Sequence, residues 1–192
     1  MHSAGELPVS ETRKRRRTEG RARTYRNARR IGWLFSILVS IAVLGLVFFV
    51  WLAPLRIVDE SMAPTLNSGE MVLCDRLAKF MRMPERGDIV LFSTDDGLFI
   101  KRIVGMPGET VELVEGRIFI NSIPLDESSY AVNYVGDMPP VDVPAGSVFV
   151  LGDNRQEMYD SRLESVGSIP FERIQGVLRL RIAPFGRIAF FS

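Results

Sequence analysis

Two different hydrophobic patterns divide the chain at Pro54. From Ile31 to Ala53 the sequence is an apolar run without a charged residue. As a helix rising 1.5 Å per residue it would be roughly 35 Å long, enough to cross a bilayer core of about 30 Å. Trp33 and Trp51 near its ends are typical of the membrane interface. The pattern predicts a transmembrane anchor helix over residues 31–54, because cleaved signal peptides have shorter apolar regions and buried globular helices have a polar stripe.

Beyond Pro54 the pattern changes to short apolar runs between Gly, Pro, Asn and Asp, which is typical of β-strands. Glu115-Gly116 separates two such runs as a hairpin turn does. Residues 76–83 predict one short helix, and residues 133–143, with three Gly and Pro positions, predict a loop. Residues 55–192 are therefore expected to form one mainly β domain. The predicted strands are Met71–Cys74, Asp88–Phe92, Leu98–Val104, Thr110–Val114, Arg117–Ile120, Ser147–Leu151 and Ile174–Ile182.

The last apolar segment, residues 182–191, has two interpretations. It is either a closing strand packed on the core, which we favour, or an edge that dips into a membrane surface.

Charge is distributed unevenly along the chain. The net charge is +1, yet residues 1–30 hold ten Lys and Arg against three Glu, so the remainder is net negative. This tail lacks apolar periodicity, and we expect it to be disordered. A basic run such as residues 13–17 also suits nucleic-acid binding or a solvated charge block. Its place directly before an apolar run instead indicates the positive-inside pattern, with the N-terminus in the cytoplasm, the domain across the membrane and no nucleic-acid partner.

The residue types limit the chemistry. The chain has one cysteine, Cys74, in a strand-like stretch where a small core residue is expected, and one histidine, His2. These counts exclude an internal disulfide and a Cys/His zinc site, and they make a Ser-His-Asp or Cys-His enzyme very unlikely. We expect neither a metal nor another cofactor. A serine nucleophile would need Lys, Asp or Glu as its base.

Lys101 interrupts the apolar run Leu98–Val104. On a strand Phe99, Lys101 and Ile103 share one face, and burial there would lower the lysine pKa by disfavouring the ammonium. The alternative is a lysine whose stem covers apolar surface while its head reaches water.

Four motifs occur in a fixed order after the anchor. They are Ser61-Met62-Ala63-Pro64-Thr65-Leu66, Arg86-Gly87-Asp88-Ile89-Val90, Ile100-Lys101-Arg102-Ile103-Val104-Gly105-Met106-Pro107-Gly108, and Gly152-Asp153-Asn154-Arg155 followed by Asp160-Ser161-Arg162. Their order and spacing resemble those of bacterial type I signal peptidases. The first motif alone also occurs in self-cleaving LexA-type proteins, but no DNA-binding domain precedes it here.

The resemblance implies a signal-peptidase-like or LexA-like β catalytic fold behind a single transmembrane helix. Ser61 would be the nucleophile, its backbone N–H would serve the oxyanion hole, and Lys101 would be the general base. The substrates would be exported preproteins, cut after an Ala-x-Ala-like end of the signal peptide at the cell membrane. Membrane lipid is a further expected partner, and the export machinery is a candidate one.

The same resemblance assigns supporting residues. As lone residues, each of them would be assigned to the core or the surface. Those expected to line apolar subsites for small side chains are Ile57, Met62, Phe99 and Ile100. Those expected to brace the site are Asp153, Asn154, Arg155, Asp160, Ser161 and Arg162.

Two positions depart from the family pattern. Met158 stands where a serine usually hydrogen-bonds the catalytic lysine, and its thioether can only exclude water. We hypothesise that another hydroxyl, such as that of Ser161, takes over or that turnover is slower, in which case Met158→Ser should raise the rate. Asp59 stands where relatives have Ser or Gly; since a carboxylate repels an oxyanion, Asp59 is expected to point away or be protonated.

Two alternatives to an active signal peptidase remain open at this point. Asp59 and Met158 suit a membrane-tethered β-domain that binds export substrates or machinery with little or no activity. A specialised Ser/Lys maturase for one secreted protein is the other.

Overall fold

The structure is a computed structural model that describes residues 32–46, 49, 51–133 and 136–191. The chain divides into two compact units, Met1–Phe49 and Val50–Ser192. In the first unit residues 32–46 form helix α1. Among the described residues, no helix combines the length and apolarity needed to cross a membrane. The tail over residues 1–30, predicted to be disordered, lies outside the described residues.

The end of the apolar run differs from the prediction of a helix that reaches Pro54. Leu52–Arg56 form strand β1, which pairs antiparallel with β2 so that Ala53 lies opposite Cys74. Strand β1 stands at the edge of its sheet. Proline is tolerated on an edge strand, where its missing N–H is not needed for pairing. The second unit therefore takes its first strand from the predicted anchor.

The second unit is mainly β, which confirms the predicted fold class. Its strands are β1 (Leu52–Arg56), β2 (Met71–Asp75), β3 (Ile89–Thr94), β4 (Gly97–Gly105), β5 (Thr110–Val114), β6 (Arg117–Ile120), β7 (Ile123–Pro124), β8 (Met138–Asp142), β9 (Ser147–Leu151), β10 (Ile169–Pro170), β11 (Ile174–Ala183) and β12 (Ala189–Phe190). Its helical pieces are α2 (Ala78–Met81) and the 3₁₀ turns η1 (Phe171–Arg173) and η2 (Phe185–Arg187).

Two antiparallel sheets arise from the described strands. The larger has eight strands in the order β1-β2-β11-β3-β4-β9-β10, with β12 paired to β11, and the smaller has the order β7-β6-β5-β8. Pairs between strands that are distant in sequence, such as β11 with β2 and β4 with β9, join the larger sheet. Those long-range pairs join the strands that carry or adjoin the four motifs.

Three apolar clusters fill the second unit. One packs Ile57, Met62 and Leu66 against β2 and β3, and a second packs Val90, Phe92 and Ile103 against β9 and β11. The third unites the smaller sheet with β4 and β9. Strand β4 contributes to the second and third clusters, and Ile100 packs against the first. Every position from 101 to 105 of β4 is therefore buried.

Several local predictions are settled by these elements. Cys74 is fully buried, as predicted. Glu115 and Gly116 both have positive φ (49° and 77°) between β5 and β6, which confirms the hairpin turn. The predicted loop over residues 133–143 is wrong in its second half, because β8 pairs with β5. Its two prolines are accommodated because β8 is an edge strand.

The C-terminal segment is only partly a closing strand. Ala189 and Phe190 pair with β11, and Phe191 packs against the cluster of Ile57 and Met62. Phe185 and Phe190, however, are 86% and 82% exposed, so the favoured core-packing interpretation is wrong for these two side chains.

Candidate active site

Ser61 lies in a turn that connects β1 to β2. The base of this loop is closed by two backbone bonds, since Ile57 N–H donates to Glu70 O (2.9 Å) and Gly69 N–H donates to Ile57 O (2.8 Å). Within the turn Leu66 N–H donates to Met62 O (2.8 Å). Ser61 is 4% exposed, and the turn therefore holds it at a buried, hydrogen-bonded position.

Asp59 binds both donors of Ser61. One carboxylate oxygen, Oδ1, accepts the Ser61 backbone N–H at 3.0 Å and the Ser61 hydroxyl at 2.7 Å. The side chain of Asp59 is exposed on its other sides. Of the two expectations for Asp59, that it points away or is protonated, the first is therefore wrong. The N–H and the hydroxyl of Ser61, two residues later, attract the carboxylate.

Lys101 lies near the middle of β4, opposite Val90 of β3. It is 2% exposed, and Phe99 and Ile103 on the same strand face pack against the cluster that contains Val90. The alternative of a lysine whose head reaches water does not match this burial. The apolar surroundings disfavour an ammonium and favour a neutral amine.

Charges around Lys101 act in both directions. Burial is the largest influence and lowers the pKa of Lys101, and the charge of Arg162 lowers it further. Three carboxylates oppose this and favour the ammonium: Asp59, Asp160 and Glu157. Asp59 thus contacts the Ser61 hydroxyl directly and also acts on Lys101 through its charge.

The turn of residues 152–155 supports Ser61 from the other side. Asn154 N–H donates to the Ser61 carbonyl at 3.0 Å. A Cβ on Gly152 would come within 2.6 Å of the same oxygen, so only glycine allows this approach. Asn154 therefore positions Ser61 through the backbone.

Asp153 ties the same turn to the lysine strand. Its carboxylate accepts two bonds from Arg102, at 2.8 Å from Nε and 2.7 Å from Nη2, and both residues are buried. Arg102 also donates to Gly87 O and stacks over the ring of Tyr130 at 4.2 Å. Arg102 follows Lys101 directly in β4. This ion pair therefore links the strand that carries Lys101 to the turn of residues 152–155, which contacts Ser61.

Asp160 and Arg162 form a bidentate ion pair, with Arg162 Nε at 2.9 Å and Nη2 at 2.8 Å from the carboxylate. Asp160 is completely buried and also accepts the N–H of Gly152 at 3.1 Å. Arg162 donates to the carbonyl of Arg155 at 2.9 Å. The pair therefore fixes both ends of the turn of residues 152–155, as a bracing role requires.

Ser161 and Arg155 are held by neighbours within the fold. The Ser161 hydroxyl accepts the N–H of Val150 at 2.9 Å, and its own N–H donates to Val150 O at 3.1 Å. Arg155 donates to the Gly152 carbonyl and forms an ion pair with Glu127, and both partners are buried. These contacts give both residues a structural position next to the site.

The four residues expected to contact substrate fall into two groups. Ile57 and Met62 are 4% and 1% exposed within a core cluster, which leaves little surface for a peptide. Phe99 and Ile100 are half-buried. Phe99 also stacks on Tyr159 with 4.2 Å between ring centroids. Phe99 and Ile100, which flank Lys101 in sequence on opposite strand faces, and Tyr159 therefore offer partly accessible apolar surface.

Met158 is 47% exposed and lines a surface cavity together with Arg162 and Met138. A side chain in that position does not account for the burial of Lys101. The hypothesis that its thioether keeps water from the lysine therefore finds no support in this arrangement.

The supporting roles of several residues were not predicted from the sequence. Glu70 accepts bonds from Arg181 (3.1 Å) and Arg187 (2.5 Å), and Arg181 also donates to Thr65 O at 2.7 Å. Arg181 of β11 and Arg187 of the C-terminal segment thereby hold the turn that contains Ser61. Glu127 and Tyr130, the partners of Arg155 and Arg102, lie in a stretch without any apolar pattern or motif. For Arg102 the signal was present, as a second charge inside an apolar strand.

Comparison with known proteins gives a consistent result. A sequence model of the family described as "Signal peptidase, peptidase S26" matches residues 30–183. Signal peptidase I S of Bacillus subtilis is 32% identical over 167 residues, which cover 81% of this chain and 90% of that protein. Signal peptidase I of Bacillus amyloliquefaciens is 34% identical and covers 80% and 85%. A crystal structure of a signal peptidase I from Enterococcus faecalis is 33% identical, with a TM-score of 0.44, and covers 50% of this chain and 97% of that chain.

Proposed function

Because the chain belongs to the signal peptidase family, peptidase S26, and is a serine peptidase, we propose that it removes signal peptides with Ser61 as nucleophile and Lys101 as general base. The observation that carries this assignment is the burial of Lys101, which is 2% exposed. A general base has to be neutral at the working pH, and burial lowers the pKa of Lys101 toward that condition.

In acylation, Lys101 Nζ takes the hydroxyl proton while Ser61 Oγ bonds to the carbonyl carbon of the scissile peptide. The carbonyl oxygen becomes an oxyanion, which accepts the Ser61 N–H. When the C–N bond breaks, the Lys101 ammonium returns its proton to the departing amine of the mature protein. An acyl ester on Ser61 is left, and Lys101 is neutral again.

In deacylation, Lys101 takes a proton from the water that attacks this ester. Collapse of the second intermediate breaks the bond to Ser61 Oγ, and the ammonium returns the proton to that oxygen. The signal peptide then leaves as a free acid. One lysine serves both halves of the reaction because each half restores its neutral form.

Substrate selection at a small-x-small site is proposed to depend on Phe99 and Ile100. Their partial exposure beside Lys101 supports shallow apolar subsites rather than a deep cavity. Ile57 and Met62 would shape these subsites from below, through their packing with Ile100.

The enzyme is further proposed to be anchored in the cell membrane by the apolar run that precedes β1, residues 31–51, with the basic tail in the cytoplasm. The uncharged apolar run and the ten basic residues before it support this topology. Exposed Phe185 and Phe190 would suit contact with lipid near anchored preproteins. The export machinery remains a candidate partner.

The test is cleavage of one model preprotein by the detergent-solubilised full chain. Mass spectrometry of the new N-terminus should locate the cut after an Ala-x-Ala-like sequence. Ser61→Ala and Lys101→Ala should each abolish the cut, whereas the exposed Ser128→Ala should retain it. Cleavage that survives either of the first two substitutions contradicts the dyad. A cut in only one of several unrelated preproteins would instead favour a specialised maturase.

A further inference from the structure

The carboxylate of Asp59 occupies the position in which the oxyanion of a substrate would accept the Ser61 N–H. Its Oδ1 lies 3.0 Å from the Ser61 backbone nitrogen, which is hydrogen-bonding distance for an oxyanion. One N–H cannot serve a carboxylate oxygen and a developing oxyanion with full strength at the same time. The carbonyl oxygen of a substrate therefore has to replace Asp59 Oδ1.

The hydroxyl of Ser61 is held by the same oxygen. Its proton is donated to Asp59 Oδ1 at 2.7 Å. Transfer of this proton to the amine of Lys101 requires the hydroxyl to turn away from Asp59. Both reactive groups of Ser61 are consequently held in an unreactive arrangement by one side chain.

Asp59 is well suited to leave this position. It is exposed, and its neighbour Val58 is 82% exposed. The two bonds to Ser61 are local, spanning two residues, so a rotation of the Asp59 side chain breaks them without disturbing any strand. Water can take over the solvation of the released carboxylate.

The charge of Asp59 also opposes deprotonation of Lys101. The charged groups that face this lysine are Asp59, Asp160, Glu157 and Arg162. Asp160 is neutralised by its bidentate bonds to Arg162. Asp59 is the one of the three carboxylates that also contacts Ser61.

We propose that Asp59 is a positioning residue that holds Ser61 in a resting arrangement, and that the main-chain carbonyl of a bound preprotein displaces its carboxylate before acylation. This inference rests on the proposed roles of Ser61 and Lys101. A consequence is that Asp59 slows the reaction it borders, since part of the binding free energy of each substrate is used to displace it.

Two substitutions separate the charge of Asp59 from its hydrogen bonds to Ser61. Asp59→Asn removes the charge but keeps an amide oxygen able to accept from Ser61. Asp59→Ser removes the charge and adds a hydroxyl that can donate to the oxyanion. Glu60→Gln, which removes one negative charge at the next exposed position, is the matched control.

The experiment measures kcat and KM for one preprotein between about pH 5 and pH 10. Asp59→Ser is expected to raise kcat roughly tenfold, since a lost oxyanion donor costs about 10²-fold or more, with a smaller change in KM. Both Asp59 variants should move the acid limb of the kcat/KM profile to lower pH. Glu60→Gln should leave kcat within about twofold of the wild type. Equal or lower kcat in both Asp59 variants, with an unmoved acid limb, overturns the inference.

A second measurement does not depend on cleavage. The chain has three lysines, so the titration of Lys101 can be followed by NMR with ¹⁵N-labelled lysine. Titration at lower pH in Asp59→Asn than in Glu60→Gln supports the inference, and identical titration overturns it. If the wild type cuts no preprotein while the titration still moves, the proposed function fails and the action of Asp59 on Lys101 stands.

Discussion

Gly152 and Ser61 approach so closely that any side chain on residue 152 would collide with the Ser61 backbone. A Cβ there would lie 2.6 Å from the Ser61 carbonyl oxygen, well inside van der Waals contact. The same carbonyl accepts the N–H of Asn154 at 3.0 Å. Ser61, the proposed nucleophile, is thus positioned by backbone contact with a turn some ninety residues later in the chain.

Replacement of Gly152 by alanine should therefore impair catalysis. Because neither backbone can yield easily, the Ser61 turn has to shift, and a displacement of about 1 Å can cost about 100-fold in rate. We expect kcat/KM to fall by about that factor. The control is Gly186→Ala, since a Cβ at Gly186 meets nothing within 4 Å. Equal activity of the two variants would contradict the close approach.

The buried pair of Arg102 and Asp153 should be essential for stability. In Asp153→Asn the guanidinium stays buried beside a neutral amide, and the loss of one partner of such a pair costs about 3 kcal/mol or more. Urea unfolding of the full chain measures this. Asp95→Asn is the matched control, because Asp95 and Arg173 form an exposed pair at 3.4 Å, for which less than about 0.5 kcal/mol is expected. Similar losses in both variants would refute the argument.

Glu70 should make stability depend on pH in the acid range. Burial alone would raise its pKa, but the Asn67 amide, Arg181 and Arg187 outweigh burial, so that the pKa lies below its ordinary value of 4.5. A lowered carboxyl pKa stabilises the folded state above 4.5, and this gain disappears as the pH falls toward the folded-state pKa. The stability difference between wild type and Glu70→Gln should be full at pH 7 and shrink below about pH 4.5. A constant difference from pH 7 to pH 3 would contradict this.

Lys101 should reduce stability at neutral pH while it enables catalysis. Burial lowers its pKa from the ordinary 10.5, so the unfolded chain binds more protons and stability rises with pH up to that value. Lys101→Met should lower the rate of cleavage by about 10²-fold or more. It should also unfold at higher urea concentration than the wild type at pH 7, with a smaller advantage near pH 10. An advantage that does not change with pH would indicate packing alone.

The strands with the strongest apolar pattern are predictable from sequence, and so is the choice of Lys101 as the candidate base, although the pattern leaves its burial open. Thr110–Val114 and Arg117–Ile120 have the predicted bounds because the turn between them is determined by two residues that accept positive φ. Lys101 is identifiable as a candidate because a charged residue inside an apolar strand is unusual, since burying a charge is costly. In both cases the information lies within a few neighbouring residues.

Features that depend on distant partners are not predictable in this way. The sequence predicts residues 52–54 as the end of an apolar helix, and pairing with β2 makes these residues part of a strand. Glu127 gives no local sign that it neutralises Arg155, 28 residues later. The orientation of Asp59 is a local exception, because its carboxylate can take several orientations on an exposed loop and the two donors of Ser61 decide among them.

The place of β11 has a consequence for the order in which the enzyme matures. This strand stands between β2 and β3 in the larger sheet. β1 and β2 form a hairpin around the Ser61 turn, and β3 and β4 form the hairpin that contains Lys101. In the sheet these hairpins therefore become neighbours only once residues 174–183 have been inserted between them. A ribosome-bound chain shorter than this holds the proposed nucleophile and base on separate hairpins. We therefore expect the peptidase to gain activity only near the end of its own synthesis.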